Sequence, residues 1–146
     1  MIDETQHSPV AASVSKQAWY SLAFWMTAGL FLEGLLAFRS PAYLQDPMRR
    51  ELFRLAHAHG TVLNIVTLVA TLYLTKGLIS PPRLALWSLR LGVIAMPLGF
   101  LLGGISHSET DPGLAVLLAP LGGLMIIFGV IAIAISSGRT GSESND

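Results

Sequence analysis

Four long apolar segments, separated by short polar ones, constrain what this chain can fold into. They occupy residues 18–38, 55–75, 84–105 and 114–135. Because a helix rises about 1.5 Å per residue, about 20 apolar residues cross the ~30 Å hydrocarbon core of a bilayer. Charged residues make up 12% of the chain, about half of the roughly 25% usual in soluble domains. The sequence therefore predicts an all-α fold, an integral membrane four-helix bundle with up-and-down connections.

The polar segments between the spans are too short to form a second domain. We expect one four-helix domain over residues 16–137, flanked by flexible polar tails at residues 1–15 and 138–146. The first span follows a polar stretch with a single cation, Lys16, and so lacks the basic start of a signal peptide. It is interpreted as a retained span.

Proline and capping residues mark where the helices begin and end. Ser13 or Ser15 is expected to cap the first helix, which should end at Arg39-Ser40-Pro41 because a residue before proline disfavours the helical region. Asp46-Pro47 predicts the start of the second helix, an N-cap followed by proline at the first position. The same chemistry predicts the starts of the last two helices at Ser80-Pro81-Pro82 and Thr110-Asp111-Pro112.

Small residues and prolines recur in the third and fourth spans. Small residues in membrane helices mark close helix contacts, since lipid supplies no hydrophobic drive for association. Both prolines are expected to lie inside their helices and to kink them. The pattern predicts a tight pair of helices, with a hinge or a cavity beside the kinks as the alternative. The packing residues are Pro97, Gly99, Gly103, Pro120, Gly122 and Gly123.

Composition and missing motifs exclude several classes of function. The chain has no cysteine, which excludes disulfides, thiolate metal sites, iron–sulfur clusters and covalently attached c-type haem. Its net charge is zero, and no basic block indicates nucleic acid as a partner. No phosphate-binding loop, zinc-protease motif or serine nucleophile elbow occurs in the sequence. The sequence therefore favours a protein that is not an enzyme.

Ionisable groups inside membrane spans are costly, so each is a candidate for function. Threading the spans up and down places Glu33, His57 and His107 near the same membrane face. Together with Asn64, a deep amide in the second span, they form a candidate ligand or proton site. If the site holds a metal, its ligands are Glu33, His57 and His107.

The helical period distinguishes the two histidines of the second span. His57 and His59 point about 200° apart on a helix. The face of His59 is apolar and suits lipid or an apolar neighbour, so we expect His57 to point into the bundle. The polar stripe that continues from His57 consists of Gly60, Thr61, Asn64, Thr67, Thr71 and Thr75.

Three functions are compatible with these residues. The favoured one is an accessory or structural subunit that has no cofactor and packs against other membrane subunits or against itself, with Glu33, His57 and Asn64 joining helices by hydrogen bonds. The first alternative is a haem-, metal- or quinone-binding bundle that uses His57. The second alternative is a small proton-coupled transporter that acts as a dimer.

The last span carries a motif that resembles a known family. Leu118-Ala119-Pro120-Leu121-Gly122-Gly123-Leu124 is similar to the Thr-Pro-x-Gly-Gly signature of a family of small bacterial four-span membrane proteins of unknown function, which has relatives in animals. That family also has a histidine early in its second or third apolar segment, as His57 is here. The chain departs from it at Phe31-Leu32-Glu33-Gly34-Leu35, where the family has an Ala-Phe-Gly-Ala-His-Gly-like stretch. The resemblance implies a four-span architecture and no particular activity.

Aromatic and charged residues bear on the position and the orientation of the chain in a membrane. The cluster of Trp19, Tyr20 and Trp25 is typical of an interfacial aromatic belt. Cations are nearly balanced between the two membrane sides, but the loop at residues 107–111 has none, which favours cytoplasmic termini in a bacterial inner membrane. The cations on the side of the termini are Lys16, Lys76, Arg83, Arg90 and Arg139, and those on the other side are Arg39, Arg49, Arg50 and Arg54.

Reporter fusions test the four-span topology. A reporter placed after Asp146 and one placed within residues 44–48 are expected in opposite compartments, because an odd number of spans, three, separates them. A compartment-specific enzyme or fluorescent reporter makes this measurement. Both reporters in the same compartment would contradict the four-span prediction.

Overall fold

The computed structural model describes residues 9–108 and 111–140, without the side chains of residues 138–140. In this part of the chain, four helices are long and apolar enough to cross a membrane, which confirms the predicted all-α, multi-pass fold. A short helix follows the first span, and a turn of 3₁₀-helix precedes the last. The helices are α1 (Pro9–Ala37), α2 (Pro41–Leu44), α3 (Pro47–Thr75), α4 (Arg83–Ile105) and α5 (Leu118–Thr140), with the 3₁₀ turn at Leu114–Leu117.

The four long helices pack in chain order. Extensive contacts join α1 to α3, α3 to α4 and α4 to α5. Within the described residues, no contact of similar extent joins α5 to α1 or to α3. The apolar core lies on α4 and α5 at Leu89, Val93 and Ile126, and Leu63 of α3 packs against it. Consequently α1 and α5 are the outer helices of the bundle.

The predicted start of α3 is confirmed in detail. Asp46 is its N-cap and accepts a hydrogen bond from the backbone N–H of Arg49 at 2.9 Å, and Pro47 is the first helical residue. The helix continues without interruption to Thr75. Its length of 29 residues corresponds to about 43 Å, which exceeds the ~30 Å apolar core of a bilayer. One end of α3 therefore extends beyond that core.

The outer helices are longer than predicted. α1 begins at Pro9, earlier than the expected caps Ser13 and Ser15. A proline is well suited to the first turn of a helix, and burial of Ala11 and Val14 explains why the following residues are helical and not part of a flexible tail. α5 likewise continues to Thr140, past the predicted boundary at residue 137. The remaining parts of both predicted tails lie outside the described residues.

The predicted tight pair of spans is α4 and α5. Their backbones meet where a Cβ atom added to Gly122 would lie 2.5 Å from the backbone nitrogen of Met96, and one added to Gly99 would lie 2.5 Å from that of Ala119. Gly103 similarly faces Val116. The prediction was wrong for Gly123, whose surroundings are open. Only one side of α5 can face α4, and Gly123 is about 100° around the helix from Gly122.

The two prolines differ in position. Pro97 lies inside α4 and is buried, as expected. Pro120 is exposed and lies in the first turn of α5, where a backbone N–H has no intrahelical partner to lose. The expected kink at Pro120 is therefore replaced by a change from 3₁₀- to α-helix at Leu117 and Leu118.

Adjacent glycines of α5 test this interface. Gly122→Ala is expected to destabilise the bundle by about 1–3 kcal/mol, because the new methyl group must push α4 away. Gly123→Ala is the matched control and should be neutral or stabilising by up to about 1 kcal/mol, through helix propensity alone. Thermal unfolding in mild detergent measures both. Equal effects of the two substitutions would contradict the assigned interface.

Candidate functional site

The rings of Trp25 on α1 and His57 on α3 each pack onto a glycine of the opposite helix. The ring of Trp25 on α1 lies directly over Gly60 of α3, and the ring of His57 on α3 lies directly over Gly29 of α1. A Cβ atom at either glycine would overlap the facing ring. Each helix thus provides one ring and one flat backbone surface, which brings α1 and α3 into close contact. Trp25 is buried here and does not belong to the predicted aromatic belt.

A hydrogen bond joins the same two residues. Nδ1 of His57 lies 2.8 Å from the carbonyl oxygen of Trp25. Because a carbonyl can only accept, Nδ1 carries the proton and donates it. Within the described residues, Nε2 has no hydrogen-bond partner. His57 therefore faces the bundle as predicted and joins α3 to the backbone of α1.

Asn64 forms a second link between α1 and α3. Its side chain is 0% exposed, and its Nδ2 donates to the hydroxyl of Ser21 at 2.9 Å and to the carbonyl of Gly60 at 2.6 Å. Because the carbonyl of Gly60 can only accept, the NH₂ group of the Asn64 side chain must face it, and this fixes which way the side-chain amide is turned. Oδ1 is buried without a partner among the described residues. Hydrogen bonds between membrane helices contribute about 0.6 kcal/mol on average, so this link is a modest one.

Glu33 and His57 line one cleft between α1, α2 and the first turns of α3. The cleft has a volume of about 560 Å³ and is also lined by Tyr43, Arg50 and Arg54. Glu33 is exposed, and no hydrogen bond to His57 is formed. The two residues thus share a cavity as predicted but are not a bonded pair.

The cleft also contains residues that were absent from the predicted site. Arg50, Arg54 and His57 are spaced i, i+4 and i+7 along α3, so they lie on one face of the helix. This spacing is visible in the sequence and could have identified the arginines. Tyr43 could not be found in this way, because it reaches the cleft only through the path of α2.

His107 lies in a different cluster from Glu33 and His57. Its Nε2 is 2.8 Å from Oδ2 of Asp46, and its Nδ1 is 2.6 Å from the carbonyl oxygen of Ser108. Both oxygens are acceptors, and the ring joins the N-cap of α3 to the segment that follows α4. The predicted grouping of His107 with Glu33 and His57 is therefore not formed. The His107 ring bonds to Asp46 instead, because the N-cap of α3 lies next to the end of α4.

Asp46 and Arg49 connect three elements at this end of the bundle. The Arg49 guanidinium lies 3.5 Å from Oδ2 of Asp46 and donates to the carbonyl of Gly104 on α4 at 3.3 Å. The backbone N–H of Arg49 donates to the Asp46 carboxylate and lowers its pKa. The hydrogen bond and the charge of His107 also lower this pKa, whereas partial desolvation raises it. Asp46 therefore stays ionised to a lower pH than an aspartate without these partners.

His59, the other histidine of the second span, lies against α4. The ring of His59 lies 5.2 Å from that of Phe100, so its neighbour is the apolar surface of α4. This agrees with the predicted apolar neighbour. Across residues 9–108 and 111–140, no three His, Cys, Asp or Glu side chains lie close enough together to hold a metal ion.

No family model, curated protein or solved structure matches this chain. The resemblance of the motif at Pro120-Leu121-Gly122-Gly123 to a four-span family consequently stays a prediction.

Two glycines of α1 test the packing of α1 against α3. Gly29→Ala is expected to destabilise the protein by about 1–3 kcal/mol, because the methyl group displaces the His57 ring from the Trp25 carbonyl. Gly34→Ala is the control, since nothing lies within 4 Å of a Cβ atom at that position. Thermal unfolding in detergent gives the comparison. A stable Gly29→Ala variant with an unchanged His57 environment by NMR would refute the contact.

Substitutions at Asp46 separate its two roles. Asp46→Asn keeps an N-cap acceptor but loses the charge that faces His107, whereas Asp46→Ala loses both. The expected order of stability at neutral pH is therefore wild type, then Asn, then Ala. Because folding lowers the pKa of Asp46, its carboxylate stabilises the fold above its unfolded pKa, and this is lost as the pH falls through the folded value.

Unfolding midpoints between pH 7 and about pH 3 measure this effect. The difference between wild type and Asp46→Asn should shrink as the pH falls. A difference that is constant over this range would show that the carboxylate charge contributes nothing.

Proposed function

We propose that this chain is a membrane subunit without chemistry of its own, which assembles laterally with a second membrane-spanning chain. That chain is a copy of itself or a subunit of a larger complex. The supporting observation is the packing of the four helices in a row, with α1 and α5 on the outside. In a closed bundle each helix has two long neighbours, whereas the outer helices here have only one extensive helix contact each.

The use of the internal polar groups supports the same proposal. His57 and Asn64 bond to α1, and Thr67 and Thr71 donate to carbonyls of their own helix at 2.8 Å. The polar stripe of α3 is therefore occupied partly by hydrogen bonds to α1 and partly by hydrogen bonds within α3 itself. A continuous path of unpaired polar groups, as a carrier requires, is not provided by these residues.

The outer faces of α1 and α5 are where a second chain would bind. Leu30 on α1 is 69% exposed and Leu124 on α5 is 66% exposed, and both lie in membrane spans. Lipid covers such faces in an isolated protein. In an assembly, a partner helix replaces the lipid and gains packing contacts.

Cysteine cross-linking tests the assembly, since the natural chain has no cysteine. Leu30→Cys and Leu124→Cys are expected to form cross-linked species in native membranes, at one of the two faces or at both. Leu89→Cys is the control, because Leu89 is only 1% exposed. Absence of adducts at both outer positions, together with a monomer that purifies alone in mild detergent, would refute the proposal.

A second candidate function is a haem or quinone site that uses His57. The observation in its favour is that Nδ1 donates to a backbone carbonyl, as the outer nitrogen of a ligating histidine commonly does. Nε2 is then left to bind a ligand in the cleft. The absorbance spectrum of protein from native membranes decides this. A haem band lost in His57→Ala and kept in His59→Ala would support the site, and a colourless protein would exclude haem.

We propose that the protein lies in a bacterial inner membrane with both termini in the cytoplasm. The cation-free loop at residues 107–111 supports this orientation. The reporter fusions described above also test this orientation.

A further inference from the structure

The cleft between α1, α2 and α3 has charges of both signs that do not neutralise each other. Glu33 lies on its α1 side, and Arg50 and Arg54 lie on its α3 side. Within the described residues, none of the three takes part in an ion pair. A negative and a positive region thus face one cavity without being joined.

The two arginines differ in how far the fold already uses them. Arg50 donates one hydrogen bond, to the carbonyl of Leu44 at 3.0 Å. Arg54 forms no hydrogen bond within the described part of the chain and is exposed. Since a guanidinium has five N–H donors, most of the donors in this cleft are available to a ligand. Arginine pairs are well suited to phosphate oxygens, which accept charge-assisted hydrogen bonds.

We expect the cleft at the depth of lipid headgroups. Arg50 and Arg54 belong to the first two turns of α3, the end that follows the polar Asp46 cap. Because α3 is longer than the apolar core of a bilayer and carries its arginines in these turns, we expect the turns at the interface between headgroups and acyl chains. Leu32 and Leu36 of α1 continue the wall of the cleft and supply an apolar surface beside the charged groups.

We propose that this cleft binds the headgroup of a phospholipid that carries a primary amine. Arg54 and Arg50 hold the phosphate, Glu33 accepts hydrogen bonds from the ammonium group, and Leu32 and Leu36 contact the start of an acyl chain. A ligand with both charges neutralises both sides of the cleft, whereas a simple anion leaves Glu33 opposed to it. The volume of about 560 Å³ is within the range of small-molecule sites in proteins.

Native mass spectrometry of the full chain in detergent tests this site. The probes are phosphatidylethanolamine, phosphatidylcholine and phosphatidylglycerol with the same acyl chains, and inorganic phosphate. Phosphatidylethanolamine is expected to bind most tightly, because only its headgroup combines a phosphate with N–H donors for Glu33. The choline headgroup has no N–H, and the glycerol headgroup has no positive charge.

Three variants assign the roles of the residues. Arg54→Gln should weaken binding of phosphatidylethanolamine about tenfold, the loss of one charge-assisted hydrogen bond. It should leave the fold intact, because Arg54 is exposed and makes no hydrogen bond to the residues that the structure describes. Glu33→Gln should lower the affinity for phosphatidylethanolamine to that for phosphatidylcholine, without weakening phosphatidylglycerol. Arg83→Gln is the control, since Arg83 is exposed at the opposite end of the bundle, and should change nothing.

Several results would overturn the proposal. Equal binding of the three lipids, or an unchanged affinity in Arg54→Gln, would show that the cleft does not recognise the headgroup. Inorganic phosphate bound as tightly as the lipid would indicate an ion site only. An affinity lowered equally by Arg54→Gln and Arg83→Gln would indicate general attraction of charge to the protein surface.

Discussion

The close contact between α1 and α3 is the constraint on which the candidate site depends. A tryptophan ring covers a glycine of α3, a histidine ring covers a glycine of α1, and Nδ1 of His57 donates to the Trp25 carbonyl. Lipid gives two apolar helices no hydrophobic reason to associate, so close packing and hydrogen bonds must hold them. The contact fixes the rotation of α3 about its axis. That rotation directs Asn64 towards Ser21 and places Arg54 beside Glu33 in the cleft.

The other half of the protein achieves close packing by a different route. α4 and α5 approach through glycines that meet backbone atoms directly, at Gly92, Gly99 and Gly122. No ring is inserted between them, and the apolar core of Leu89, Val93 and Ile126 lies along the same contact. A cluster of Asp46, Arg49 and His107 then joins the start of α3 to the end of α4. The contact between α4 and α5 is mainly apolar, with a hydrogen bond from the hydroxyl of Ser88 to the carbonyl of Met125 at 3.0 Å.

The polar groups fall into two sets: those that form hydrogen bonds within the protein and those that are available to a ligand. His57, Asn64 and His107 form hydrogen bonds within the protein. Glu33 and Arg54 form none among the described residues, and both lie in the cleft between α1 and α3. We expect these two groups at the membrane interface, where water and headgroups lower the cost of unpaired charge. The outer face of α5, which we propose for lateral assembly, does not line this cleft.

The sequence by itself determined the class of fold, the four spans, the cap at Asp46 and the inward direction of His57, because these follow from apolar length, local capping and helical period. The same period relates Arg50 and Arg54 to His57. Only the tertiary structure decided that His107 bonds to Asp46 and not to Glu33, that Gly123 does not face another helix among the described residues, and that Trp25 is buried. Those outcomes depend on the rotation of each helix about its axis and on which helices are neighbours. The sequence of an apolar span leaves the rotation and the neighbours of its helix undetermined, since a lipid-facing side and a helix-facing side are equally apolar.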